Sequence, residues 1–279
     1  MHKFPTTTGQ SAGFAGKKCR VLAALPVIGL MMFAQACGGG SSAGTDPLEP
    51  STDALNQQAL LDDAGQTLLD PLSAQASYRV TVRNFWGADQ YPQEFPDNAH
   101  FSLFGGAVHD STFSMWGLVV TPSTGIEDMA ETGRIDMLLE EVAPGIADGS
   151  VDSFIEVREF TEPQIDGVPG ELEFEIVVTR DHPLVSMVSM LGPSPDWFVG
   201  ADSQSLLLGD STTVWAQSLV VPLPLYDGGS KSDIIPVMGG PDIIPPNPVG
   251  LVAYDAATGT YLPSTVEQIM GELVFTRIE

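Results

Sequence analysis

The chain has 279 residues, with 36 acidic against 11 basic side chains and a formal net charge of −25. Such a surface repels phosphate backbones and anionic headgroups, which argues against nucleic-acid binding and against peripheral docking on lipid. Hydrophobic residues make up 43% and charged residues 17%, so the acidity belongs to a folded domain rather than a disordered tail, and 29 Gly with 22 Pro point to many turns between short strands.

Four of the basic residues, Lys3, Lys17, Lys18 and Arg20, fall before position 37, and no acid does. Val21–Phe33 (VLAALPVIGLMMF) is an apolar run too short to cross a bilayer as a helix, and Ala34, Ala36 and Cys37 follow it. The pattern reads as a signal peptide over residues 1–36. Ala36-Cys37 resembles the site at which bacterial lipoproteins are cut and acylated on the cysteine, although Ala34 stands where that motif usually has Leu. The resemblance implies a membrane anchor at Cys37, in which each buried CH₂ is worth about 0.8 kcal/mol. The lack of an Asp after Cys37 resembles outer-membrane sorting, facing either the periplasm or the outside. Ordinary secretion with cleavage after Ala36 is the alternative. Cys19 and Cys37 are the two cysteines, so the body that follows has no disulfide, Cys-ligated metal or Cys nucleophile.

Residues 37–77 read as a tether. Gly38–Gly44 is Gly/Ser-rich and flexible, and Ala54–Leu72 has loosely helical leucine spacing broken by Gly65 and Pro71. From residue 78 to 279 the pattern is that of one domain. YRVTVRNF from Tyr78 alternates like a half-buried strand, as do runs at Glu171–Thr179, Leu184–Leu191, Val214–Val221 and Leu273–Ile278, with a shorter candidate at Leu251–Tyr254. Gly125–Glu141 has helical spacing weakened by Gly133. Strands without βα alternation predict an antiparallel sandwich with one or two short helices. In LVSMVSML, Val185, Met187, Val188 and Met190 cannot all share one face, so a covering element is required, and Gly125–Glu141 is the candidate.

His182–Gly200 (HPLVSMVSMLGPSPDWFVG) closely resembles the signature of the spondin N-terminal domain family. Tyr78–Phe85, His100–His109 (HFSLFGGAVH), Gly125–Gly133 (GIEDMAETG) and Pro224–Ser230 (PLYDGGS) resemble further segments of that family in the same order. The resemblance implies a mainly β, C2-like antiparallel β-sandwich. It also implies an extracellular, non-enzymatic role in adhesion or matrix binding, with a protein or glycan as ligand and a calcium (Ca2+) site on the loops at one end. The family's metal-binding Asp of the PSPDW block falls on Asp196, and the first Asp of its later loop falls on Asp227. The second Asp of that loop is here Lys231, and Asp233 is a candidate third carboxylate. Calcium takes six to eight oxygens from bendable loops, which suits Asp196 after its prolines and Asp227 before Gly228-Gly229. Three arrangements stay open for Lys231: solvent-facing with calcium retained, inserted in place of the ion, or an ordinary surface lysine.

Other constellations carry less. Gly209-Asp210-Ser211 resembles an esterase nucleophile block, but no His lies downstream of Ser211 to act as base. His100, His109 and His182 fit no helix-borne zinc pair and read as structural, bonded to backbone. Trp86, Trp116 and Trp197 read as core or rim packing, Ile243–Pro248 as a loop strapped over the sandwich, and Glu171, Glu173 and Glu175 as a solvated strand face. The sequence as a whole reads as a lipid-anchored envelope module for calcium-dependent binding. A structural envelope protein and an esterase-like hydrolase are the rivals.

Overall fold

A computed structural model describes residues 70–93, 95–208 and 214–279. Cys37, the expected signal peptide, most of the expected tether and Gly209-Asp210-Ser211 lie outside the described residues.

Among the described residues thirteen strands follow one another: β1 (Gln75–Asn84), β2 (His100–Phe101), β3 (Phe104–His109), β4 (Val151–Val157), β5 (Gly170–Thr179), β6 (Leu184–Gly192), β7 (Trp197–Ser205), β8 (Leu207–Leu208), β9 (Val214–Trp215), β10 (Ser218–Asp227), β11 (Gly250–Asp255), β12 (Thr260–Ser264) and β13 (Ile269–Arg277). Two helices, α1 (Thr124–Thr132) and α2 (Asp136–Asp148), lie between β3 and β4. The main path runs β4-β3-β6-β7-β10-β13-β1-β5, with antiparallel pairing throughout. This is the mainly β antiparallel architecture that the sequence predicts.

The path folds into two layers at β10. Residues 218–224 of that strand pair with β13, whereas Leu225–Asp227 pair with β7. The register shifts between Leu223 and Pro224. Pro222 and Pro224 cannot donate ladder hydrogen bonds, and such residues collect at bulges and strand margins. The sequence reading missed this device: its single strand at Val214–Val221 is here the short β9 and the longer β10.

Between the layers lies an apolar core that includes Tyr78, Val80, Leu273 and Phe275 from one side and Phe104, Val185, Met187 and Val199 from the other. Full burial of side chains of this size is worth about 1.5–3 kcal/mol each. The far side of the β3–β6–β7 layer is apolar too, with Val188, Met190 and Phe198 packing against Ile126, Met129 and Leu138 of the helices. Val185 and Met187 thus face one core, Val188 and Met190 the other, and helices provide the predicted cover.

That cover is two helices rather than one. Ser123 caps α1 by accepting from Ile126 N at 3.2 Å, and Gly133, with φ 72°, ends it by donating to Met129 O. Only glycine enters this left-handed conformation readily, so the residue that weakens the helical pattern marks a true break. Glu141 of α2 ties the pair together by accepting from Gly125 N at 2.7 Å and Ser123 Oγ at 2.6 Å.

Candidate metal centre

Asp196 sits in the turn between β6 and β7, which Ser194 stiffens by accepting from Trp197 N at 3.0 Å. It is 0% exposed. Its Oδ2 accepts from Ser230 N at 2.7 Å and Lys231 N at 2.8 Å. Its Oδ1 is buried and has no hydrogen-bond partner. Asp227 ends β10 directly across the ladder from Trp197, and Gly228 N donates to Asp196 O at 2.9 Å. Asp227 Oδ1 accepts from Gly229 N at 2.6 Å. Gly229 has φ 78°, and a Cβ there would stand 2.2 Å from Asn247 O, so the turn that aims Asp227 needs glycine.

Burial pushes the Asp227 carboxyl up to about 6, and the neighbouring Asp196 charge adds to the shift. Burial also raises Asp196, against the lowering effect of its backbone hydrogen bonds. Two carboxylates that repel each other out of water are costly unless a cation joins them.

Lys231 does not serve as that cation. Its backbone N–H serves Asp196, but its ammonium pairs with Glu131 Oε2 at 3.1 Å and with Asp242. Glu131 lies on α1 and is reached by Ser230 Oγ at 2.7 Å; the same hydroxyl is 3.1 Å from Asp196 Oδ2, and its one proton serves one acceptor at a time. Lys231 is therefore neither solvent-facing nor inserted between Asp196 and Asp227. Sequence reasoning missed Glu131, Ser230 and Asp242, although Glu131 and Ser230 lie inside quoted motifs.

Asp233 lines a cavity of about 240 Å³ together with Asp227, Lys231 and Asn247, floored by Trp197 and Tyr261. Its carboxylate lies against Gly240, where a Cβ would approach Oδ2 to 2.8 Å. Among the described residues no three His, Cys, Asp or Glu side chains gather into a ready-made metal cage. The paired Asp196 and Asp227 still fit a hard cation. Each has one oxygen held by backbone N–H, and Asp196 presents a second, buried oxygen with no donor. An ion here would take main-chain carbonyls and water for the rest of its shell.

The histidines are engaged in the frame. His100 Nδ1 donates to Asn98 O, His109 Nδ1 to Asp110 O and His182 Nε2 to Gly149 O, each at 2.7 Å. His109 lies at the end of β3, and its Nε2 meets Ser186 Oγ at 2.8 Å. Both residues are 0% exposed, so this Ser–His pair is sealed from any substrate. Trp86, Trp116 and Trp197 are buried, as their expected packing role requires.

A two-layer antiparallel arrangement with paired carboxylates on the loops at one end defines a β-sandwich domain. The chain belongs to the Spondin_N family, whose model matches residues 76–239. It is similar to Spondin-2 of Homo sapiens, 36% identical over 182 residues that cover 62% of this chain and 53% of the relative. Spondin-2 of Rattus norvegicus is 33% identical over 185 residues, 62% of this chain and 54% of the relative. Spondin-1 of Gallus gallus is 30% identical over 161 residues, 57% of this chain and 20% of the relative. The chain thus spans about half the length of the Spondin-2 relatives and a fifth of that Spondin-1.

Proposed function

We propose that the chain is an exported, non-enzymatic adhesion or binding module. It takes calcium between Asp196 and Asp227 and is held at the outer membrane by a lipid on Cys37. The observation that carries the calcium site is the buried Asp196 Oδ1, which has no donor and lies beside a second carboxyl already pushed up to about 6. The family resemblance supports an extracellular adhesive role with a protein or glycan partner. The sealed His109–Ser186 pair gives no support to the esterase-like rival.

Calorimetric titration of metal-free protein with calcium chloride tests the site. Saturable heat at the roughly 10⁻⁴–10⁻³ M affinity of extracellular calcium modules is expected, together with a melting temperature that rises with calcium. No heat and no thermal shift would reject calcium and favour a purely structural envelope protein. The anchor is tested separately by fractionation: Cys37→Ala should move the protein from the detergent phase to the soluble one, and persistence with membranes would place the anchor elsewhere.

A further inference from the structure

A second cavity, of about 400 Å³, lies between the end of α1, β2 and the end of β6. Its floor includes Met190 and Ser102, each 2% exposed. Phe160 and Met238 line it as well and are 59% and 57% exposed, so large apolar side chains stand at its mouth. The size and largely apolar lining match those of small-molecule sites, in which a few polar groups fix the orientation of the ligand.

Those polar groups are present. Ser102 Oγ is buried and has no hydrogen-bond partner. A buried hydroxyl without a partner is costly, and it is satisfied when a ligand or water takes its proton. Gly133 lies against this hydroxyl, and only a residue without a Cβ leaves it room, because a Cβ there would stand 2.8 Å from Ser102 Oγ. Gly192 lies against another lining residue, since a Cβ there would come within 2.9 Å of the His100 ring. Next to Gly133 is Arg134, the cation of the lining. Its Nε donates to Thr132 Oγ1 at 3.1 Å and its Nη2 pairs with Asp128 at 2.5 Å, so two contacts orient the guanidinium while Nη1 stays available.

We propose that this cavity binds a small amphipathic monocarboxylate, its aryl or alkyl body on Met190 and Phe160 and its carboxylate accepting from Ser102 Oγ and Arg134. Two donors beside one glycine favour an acceptor head, and a charge-assisted hydrogen bond from the guanidinium, already oriented by Asp128, is stronger to an anionic one. The site does not depend on the calcium reading, because no residue of its lining is Asp196 or Asp227.

The test uses phenylbutyrate and its uncharged match phenylbutanol, titrated into the protein in chelator-containing buffer and followed by amide NMR shifts. Saturable shifts at Leu103, Gly133, Arg134 and Gly192 are expected with phenylbutyrate. Arg134→Gln should weaken phenylbutyrate about tenfold, to the level of the alcohol, as loss of a charge-assisted contact does. Ser102→Ala should weaken both probes by a few-fold. Thermal melts of both variants confirm that they fold. Absence of saturation in chelator, shifts centred elsewhere, or unchanged phenylbutyrate affinity in Arg134→Gln would each overturn the proposal.

Discussion

Two sets of carboxylates in this acidic chain have opposite surroundings. On the outer face of β1 and β5, Glu171, Glu173 and Glu175 stand in water opposite Arg83, Thr81 and Arg79, with contacts of 2.9, 3.0 and 3.2 Å. At the loop end, Asp196 is buried and Asp227 half-buried, and among the described residues no cationic side chain pairs with either, although Lys231 is only four residues from Asp227. Where cations are provided, they neutralise exposed acids whose ionisation costs little. Where ionisation is costly, the one nearby ammonium is held elsewhere by Glu131 and Asp242. Charge count alone would rank the outer face as the more acidic feature. Burial and the missing partner make the loop end the one with unmet demand for a cation.

The sharpest test of this contrast exchanges charge for shape. Asp227→Asn keeps the oxygen that accepts from Gly229 N and removes the half-buried charge. In calcium-free buffer the variant should be more stable than the parent, because it no longer opposes Asp196. With calcium at a hundredfold excess over its Kd, the parent should gain about 2.7 kcal/mol by mass action. That corresponds to roughly 5–10 °C for a domain of this size, and the variant should gain almost none. Thermal melts of both proteins with and without calcium should therefore cross. Parallel responses would mean that Asp227 holds no ion.

The next effect is one of pH. The folded state raises Asp227 from its ordinary 3.8 to about 6 and so binds a proton that the unfolded chain releases. Stability in metal-free buffer is then greatest below the ordinary value and falls as pH rises through about 4 to 6, by on the order of 2 kcal/mol. Denaturant unfolding across that window should show this fall in the parent and a shallower one in Asp227→Asn, where the raised Asp196 still contributes. A parent whose stability rises with pH over the same range would contradict the assignment.

How far the sequence predicts this contrast depends on where each determinant lies. The half-buried strands β1 and β5 alternate visibly, as does much of β13, because one side of each meets the core and the other meets water. β3 and β6 are covered on both sides, so their apolar runs lose the period of two; Gly105 and Gly106 then hide β3 further, although any Cβ there would strike Ile135, Leu138 or Ser186 O. The loop carboxylates are legible through the PSPDW and PLYDGGS blocks. The fate of Lys231 is not, because its side chain is directed by Glu131, a hundred positions earlier on α1. The cavity at Ser102 has no local signature at all, since its walls come together only in the folded sandwich.

Lys231→Met separates the two roles that position 231 could play. The backbone N–H to Asp196 survives the substitution, and the ammonium to Glu131 and Asp242 is lost. Asp242 is well exposed but the Lys231–Glu131 pair is partly buried, so the expected loss of stability is about 1 kcal/mol, most of it from Glu131. Calcium affinity should stay within about twofold, because the charge removed is not seated between Asp196 and Asp227. A variant that acquires a strong new calcium dependence would show instead that the lysine had been neutralising the paired carboxylates.

The smallest effect is expected on the outer face. Glu171→Gln removes one carboxylate from Arg83, which keeps Glu272 at 2.9 Å. Both members of the lost pair are solvated, so water replaces the ion pair and the change should be at most about 0.5 kcal/mol, diminishing further as salt is added. The substitution also leaves the calcium response untouched, because nothing couples this strand face to the loop aspartates except the acidity of the chain as a whole. That last point is the informative one. If Glu171→Gln shifted calcium affinity as much as Lys231→Met does, the ion would be responding to net charge across the molecule, and the local geometry of Asp196 and Asp227 would not be its binding determinant. An unchanged titration alongside a slight change in unfolding midpoint assigns the demand for a cation to the buried pair.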